Sequence, residues 1–445
     1  MKPTLLSALI APPQSRSDRR LGKKDLKQQF PIGQPPPIPT RRRFLRQASH
    51  LAAATLTAPW IARAAVPQSK VIETKVISQQ PEFYHGWSTV ARRQNGELWV
   101  TWSGGREFHV CPFGQVQAMT SRDDGATWSW PRTLLDSATD DRDSGVIETA
   151  RGTLIVTTFT SLAYETHLAA KSVSAVSTDQ GWVPKAMSPE QLAKWKAAHS
   201  RLNDAERKAD LGEWCIRSTD GGRTWSPRIP TIVNSPHGPI QLRDKRLLYA
   251  GKQLWNQARK IGVCESKDDG LTWQWLAEIP TRKGHVGSRY HELHVVEAAD
   301  GTLIAHIRSH NEPNSRWTLQ TESTDGGRTW SEPHPICYGY PSHLLRLRDG
   351  RLLMSYGYRL GRHAPRDLGA DQGSKRAPYG NRSRISSDHG KSWSEEIIVS
   401  ADGYNGDLGY PSTVELADGT LLTIWYEAQP EPKRPVLRQA RWRLQ

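Results

Sequence analysis

The chain has 445 residues, with 36% hydrophobic content, 18 Trp and 35 Gly, which suits one large all-β domain or two to three smaller ones. Its formal charge of +15 invites a nucleic-acid partner, but residues 1–64 alone hold twelve Lys/Arg against two Asp. The +5 left for the remainder, without an aromatic-basic recognition motif, argues against nucleic acid. Cys111, Cys215, Cys264 and Cys337 form no C-x-x-C, and no P-loop or dinucleotide fingerprint stands at a strand–helix junction, so neither metal nor cofactor is expected.

The first element in chain order is a leader. Thr40-Arg41-Arg42-Arg43-Phe44-Leu45-Arg46 resembles the twin-arginine export consensus, an apolar run follows from Leu51 to Ile61, and Ala62-Arg63-Ala64 makes an A-x-A cleavage pattern. That run is too short to span a bilayer. The stretch ahead of it, with Pro35-Pro36-Pro37 and scattered Lys/Arg, lacks apolar periodicity and is expected to be disordered. The expectation is a twin-arginine leader over 1–64, a single domain over 65–445, export to the periplasm or beyond, and no stable membrane insertion after cleavage. An oxidising compartment permits disulfides, while four scattered cysteines equally suit buried thiols.

Two repeats organise the rest. The first is SRDDGATW from Ser121, STDGGRTW from Ser218, SKDDGLTW from Ser266, STDGGRTW from Ser323 and SSDHGKSW from Ser386. In the shared form S-x-D-x-G-x-[TS]-W, Asp can accept bonds from the amides of its own turn. Gly permits positive φ, and Trp is a large apolar wedge. The second repeat is a β-hairpin in six copies, with turns at Asn95-Gly96, Arg151-Gly152, Asp244-Lys245, Asp300-Gly301, Asp349-Gly350 and Asp418-Gly419. Six hairpins, five of them followed by an Asp turn, predict an all-β, six-bladed β-propeller. The sixth blade lacks an Asp turn, and Val436–Leu444 with the N-terminal Val71–Ser78 would complete it and close the ring. The first two Asp turns are 97 residues apart, against 48, 57 and 63 later. The excess lies at about 188–212, where Ser188-Pro189-Glu190-Gln191 reads as a capping box, so a small helical insertion in blade 2 is expected, as packing or as a lid.

In a four-stranded antiparallel blade the A–B and C–D turns share one face, so both repeats lie together. Functional residues belong opposite, before strand A and after strand B. Those positions carry Tyr84-His85-Gly86-Trp87, Asp140-Asp141-Arg142-Asp143, Arg289-Tyr290-His291-Glu292, Tyr338-Gly339-Tyr340-Pro341, Asp407-Leu408-Gly409-Tyr410-Pro411, Arg106-Glu107-Phe108-His109, Arg308 and Arg359. Arg, His and Tyr with a few carboxylates suit an anionic, hydroxyl-rich ligand, since an arginine fork binds a carboxylate bidentately.

Five Asp turns on a six-bladed plan resemble the sialidase (neuraminidase) superfamily over about residues 70–445. The resemblance implies a Tyr nucleophile, a Glu as its base, an Asp acid/base and three Arg on the sugar carboxylate. A phenol approaches an anionic centre without charge repulsion and, with a free pKa of about 10, needs a carboxylate partner. On that resemblance Tyr410 is the nucleophile, Glu292 its base, and Arg308 and Arg382 two of the clamp arginines, with Arg359 as neighbour or substitute. Blade 1 departs from the pattern: His85-Gly86-Trp87 stands where an Arg is expected, leaving Arg106 or Arg142 to replace it. The loop after Arg106 lacks the acid Asp, which leaves Asp143 as acid/base, or His109. His85 and His109 are also assigned to substrate binding. The expected activity is an exported, retaining exo-α-sialidase, or another exo-glycosidase on a terminal acidic sugar of a glycan or glycoconjugate. Two other readings stay open. One is a polysaccharide lyase on uronate chains, suggested by His85, His109, His237 and His291; the other is a non-catalytic glycan-binding or assembly propeller.

Overall fold

The computed structural model describes residues 67–178, 181–359, 379–431 and 434–445; the leader motif and its A-x-A pattern lie outside these residues. Six four-stranded antiparallel sheets form the six blades of the propeller. Blade 1 is Tyr84–Arg92, Leu98–Arg106, Gln115–Ser121 and Arg132–Leu135; blade 2 is Asp140–Glu148, Leu154–Ser161, Glu213–Ser218 and Ile229–Pro230. Blade 3 runs from Ile240–Gln241 to Gln274–Glu278, blade 4 from Tyr290–Glu297 to His334–Tyr338, and blade 5 from Ser342–Arg346 to Ile397–Ile398. Blade 6 takes Leu408–Glu415, Leu421–Ala428 and Pro435–Leu444 from the C-terminal end, and its outermost strand, Ser69–Val76, from the N-terminal end. Ser69 pairs with Leu444 and Val76 with Arg438, so two distant segments close the ring and cover what would be a long open edge.

The Asp turns act as local chemistry dictates. In the first, Ser121 Oγ donates to Asp123 and accepts from the Gly125 amide, while Asp123 accepts from the amide and hydroxyl of Thr127. The Asp220, Asp268, Asp325 and Asp388 turns repeat this set. Gly is needed twice over. At Gly222 φ is +85°, and a Cβ there would lie 2.2 Å from the Trp99 ring of the preceding blade. The turn Trp residues fill the seams: Trp128 donates to Gln439 of blade 6, Trp225 meets the Trp99 ring edge-on at 6.0 Å, and Trp393 donates to Gln320 of blade 4. Hydrophobic clusters between adjacent blades, such as Leu248, Val263, Leu293, Leu303 and Trp330, make the core a ring of seams.

The blade-2 insertion fills the whole strand B to strand C connection, beginning well before 188. It contains α1 (Tyr164–Ala170), a two-stranded hairpin of Ser172–Thr178 and Gly181–Ala186, α2 (Pro189–His199) and α3 (Asp204–Ala209). Ser188 caps α2 by accepting from the Gln191 amide, with Pro189 in the first turn. Because strand B ends on the face away from the Asp turns, the insertion emerges there. It packs Tyr164 and Trp195 around Cys111, Phe108 and Phe113 of the blade-1 loop. All four cysteines are buried free thiols. Among the described residues no helix is long and apolar enough to cross a membrane.

Candidate active site

The inner strands of blades 1, 2, 4 and 6 each begin with an irregular register, at Gly86/Thr89, Arg142/Gly145, Tyr290/Leu293 and Gly409/Ser412. Bulges of this kind re-aim side chains. In three of them a non-glycine residue takes the left-handed conformation: Trp87 at φ +57°, Asp143 at +52° and Tyr410 at +55°. Such backbones cost about 1–3 kcal/mol each and concentrate at functional sites. Tyr410, Glu292 and Asp143, assigned from three different blades, are thereby brought together.

Tyr410 Oη donates to Glu292 Oε1 at 2.6 Å. Arg308 Nη1 lies 2.8 Å from both Glu292 oxygens and 3.2 Å from Tyr410 Oη, and its Nε donates to His310 Nε2 at 3.0 Å. Burial would raise the Glu292 carboxyl, but Arg308, His291 and the Tyr410 bond together hold it down at about 2. It is therefore an ionised acceptor on a neutral phenol, since burial and the Glu292 charge raise Tyr410 well above its ordinary value. Asp143 differs: burial first, then Glu292, push its carboxyl up to about 7, against the pull of Arg142, Arg106 and Arg308. Two carboxyls near each other with their pKa values forced apart are a pattern of acid–base sites.

The arginines divide. Arg308 and Arg359 stand over the Tyr340 ring at 4.2 and 5.3 Å, and Arg142 over Trp87 at 4.4 Å. Arg382 instead donates to Glu396 at 2.8 Å and to the carbonyls of Asn381 and Ser400, with its guanidinium 5.0 Å from the Tyr358 ring centroid. It belongs to the wall of blade 5, and Arg359 takes the central position. Arg106 is fully buried, with Nη1 and Nη2 on the two oxygens of Asp140 at 2.5 and 3.0 Å and its guanidinium 5.1 Å from the Trp87 ring centroid. A strand-end side chain captured by a neighbouring blade's carboxylate braces the floor. His85 is 1% exposed, with Nδ1 3.4 Å from Ser78 Oγ and its ring tilted against Trp102. His237 is buried too, against His294 and His343 on the axis. Two of the four histidines behind the lyase reading are thus inside the protein.

His109 does reach the bowl. Its Nδ1 is 2.8 Å from Tyr84 Oη, which is 2.9 Å from Asp407 Oδ1, and its ring meets Trp87 edge-on at 5.1 Å. The insertion supports this loop: Lys194 and Trp195 of α2 both donate to Glu107, at 2.5 and 2.8 Å. Tyr84, Asp407 and Tyr340 carry no role in the sequence reading. A usable signal was present for Tyr340: Gly-Tyr-Pro-Ser occurs at 339–342 and again at 409–412, where the second Tyr is Tyr410. Among the described residues no group of three His, Cys, Asp or Glu could hold a metal ion.

Comparison with known proteins agrees with the fold. Residues 190–423, just over half of the chain, match the model of the BNR repeat-like domain. A protein of unknown function from Dyadobacter fermentans superposes with a TM-score of 0.63 at 22% identity, over 85% of this chain and 100% of its own. The NanB sialidase of Streptococcus pneumoniae (TM-score 0.53, 14% identity, 84% of this chain, 70% of its own) shares the propeller. So does the intramolecular trans-sialidase of Ruminococcus gnavus (TM-score 0.53, 14% identity, 84% and 96%).

Proposed function

The chain belongs to the BNR repeat-like family and has the sialidase propeller, and from that premise we propose that it is an exported, retaining exo-glycosidase acting on a terminal acidic sugar, with sialic acid the leading substrate. One observation carries the reading: Tyr410, Glu292 and Arg308 lie within 2.6–3.2 Å of one another at the mouth of the axis. Glu292 is a carboxylate positioned to take the phenol's proton as Tyr410 attacks the anomeric carbon. A nucleophile and base within hydrogen-bond reach are the signature of covalent catalysis. Arg308, Arg359 and Arg142 supply the positive field for the sugar carboxylate, and an incoming carboxylate can share Arg308 with Glu292. Asp143 and His109 are the two groups of the bowl that can hand the leaving oxygen a proton. Twin-arginine export remains part of the proposal and rests on residues 40–64 alone.

The deciding experiment is proton NMR of wild-type protein with a sialyl-lactose substrate, following the first-formed anomer. Release of sialic acid with retention supports the reading. Appearance of an unsaturated sugar absorbing in the ultraviolet would replace it with elimination. Absence of turnover would leave a binding propeller.

A further inference from the structure

Arg308 stands at the end of the second strand of blade 4, and His310 follows it two residues later. Nη1 of Arg308 serves the Glu292 carboxylate at 2.8 Å and approaches Tyr410 Oη at 3.2 Å, while Nε donates to His310 Nε2 at 3.0 Å. Nη2 has no hydrogen-bond partner among the described residues. A guanidinium offers a carboxylate two forks, the side edge of Nε with one Nη and the end edge of both Nη. His310 holds the Nε–H, so the side edge is closed and the end edge is left to a ligand. Each Nη carries two hydrogens, so Nη1 keeps Glu292 while joining Nη2 in that fork.

The imidazole is itself held in place. The His310 amide donates to the Arg289 carbonyl at 2.9 Å, and the ring lies 4.4 Å from that of His291 and edge-on to Tyr340 at 6.2 Å. Tyr340 is also the ring on which Arg308 rests at 4.2 Å, so Arg308, His310 and Tyr340 brace one another. Charge is the second feature. Acceptance from Arg308 needs Nε2 without a proton, which places the proton of the neutral ring on Nδ1. His310 is faced by Arg308, His291, Glu292, Arg316 and Tyr340. Burial first, then Arg308 and His291, bring it down to about 3 against the pull of Glu292, so the ring is neutral at working pH. Arg308 is already balanced by Glu292. A second carboxylate in place of His310 would hold the guanidinium too, but would leave net negative charge where an acidic sugar must dock.

We infer that His310 is a positioning residue of the carboxylate clamp, a neutral acceptor that fixes the Arg308 guanidinium so that its end fork meets the ligand carboxylate. This rests on the reading of the bowl as a site for an acidic sugar. His310 touches no reacting atom and acts only through Arg308. Its contribution is to substrate binding, and its neutrality matters as much as its hydrogen bond.

The test compares three substitutions in the full chain. His310→Gln keeps a neutral acceptor near the Nε2 position, His310→Glu keeps the acceptor and adds a charge, and His310→Leu removes the acceptor. The readouts are calorimetry with free sialic acid and kcat and KM on a 4-methylumbelliferyl sialoside. His310→Leu is expected to weaken binding and raise KM about tenfold or more, the size of one hydrogen bond to a charged group. Its kcat should change only a few-fold, because Glu292 still holds Nη1 beside Tyr410. His310→Gln should recover most of the binding, whereas His310→Glu should bind no better than His310→Leu. Unchanged binding in His310→Leu, a folded His310→Gln that recovers none of the loss, or a His310→Glu that binds like wild type overturns the inference. Melting curves identify a variant that fails to fold, and the comparison of His310→Gln with His310→Glu, equal in size, then decides. If wild type neither binds sialic acid nor cleaves the sialoside, the acidic-sugar reading fails by itself. The positioning contact is then judged by 15N NMR of the imidazole signal that is lost in His310→Gln. A ring that stays neutral between about pH 5 and 8, with its proton on Nδ1, supports it. A proton on Nε2, or conversion to imidazolium near the ordinary value of about 6.5, overturns it.

Discussion

Glu292→Gln keeps the side-chain volume and removes the charge at the centre of the site. In the structure that carboxylate is the 2.6 Å acceptor of the Tyr410 hydroxyl and the counter-charge of Arg308 at 2.8 Å. Removing a base within reach of its nucleophile lowers the rate about 10²–10⁴-fold, or about 3–5 kcal/mol at 1.36 kcal/mol per decade. The structural cost is smaller. Breaking a buried ion pair outright costs about 3–5 kcal/mol. Here Arg308 retains His310 Nε2, the Tyr410 oxygen and the new amide carbonyl, so about 1–3 kcal/mol is expected, the size of one charged hydrogen bond. Both groups are less than a fifth exposed, so solvent screens little of this. The assay is kcat and KM on an umbelliferyl sialoside, with a melting curve on the same preparation. The expected outcome is a folded protein, kcat down at least 100-fold and KM within a few-fold, because the ligand carboxylate can occupy the Arg308 face that Glu292 vacates electrostatically. A kcat within about threefold of wild type, against the 10²-fold minimum for a lost base, would refute the role of Glu292 and with it the activation of Tyr410.

Tyr410→Phe should abolish turnover while a non-hydrolysable acidic-sugar ligand still binds in calorimetry; full activity would remove the covalent mechanism. Arg359→Met should raise KM about tenfold or more, the loss of one buried charged hydrogen bond, whereas Arg382→Met should act mainly on the melting temperature. A matched rise in KM for Arg382→Met would return that residue to the clamp. Trp330→Ala, which empties a 9%-exposed seam between blades 3 and 4, should cost about 3–5 kcal/mol in denaturant unfolding. The Asp turns also set an acid limit. At Asp123 slight burial opposes ionisation, but the bonds from Thr127 and Ser121 bring the carboxyl to about 2. Its folded pKa lies below its unfolded one, so its stabilisation is complete above about pH 4 and disappears as pH falls toward 2. Melting temperature should drop across that window, and the drop should shrink in Asp123→Asn; an unchanged drop would show that the turn does not contribute.

Counting strands put Tyr410, Glu292 and Arg308 on the face whose strand ends converge on the propeller axis, and the resemblance to sialidases singled them out among the residues there. Arg359 against Arg382 was not legible. Both sit at strand ends of blade 5, and what separates them is Glu396 on the outer edge and Tyr340 on the inner one. Arg106 looked like a spare clamp residue until Asp140 of the next blade was seen to occupy both its Nη atoms. His85, Trp87 and Tyr84 fall within four residues of one inner strand. Irregular pairing sends His85 to a seam, Trp87 to the bowl and the Tyr84 hydroxyl to Asp407, more than three hundred residues away.

By itself the sequence determined the architecture. Turn chemistry, two-residue hairpins and the spacing of Trp wedges are local physics, complete within eight to sixteen residues, and their repetition counts the blades. Even the closing strand followed from the one blade left short of an Asp turn. What the tertiary structure alone decided is which polar groups reach the axis and which protonation state each holds. Those depend on bulges where non-glycine residues accept left-handed backbones, and on partners supplied by other blades. A buried carboxyl is held low at Glu292, where Arg308, His291 and Tyr410 outweigh burial, and lifted at Asp407, where burial outweighs Arg359, and those neighbours are set by packing around the ring.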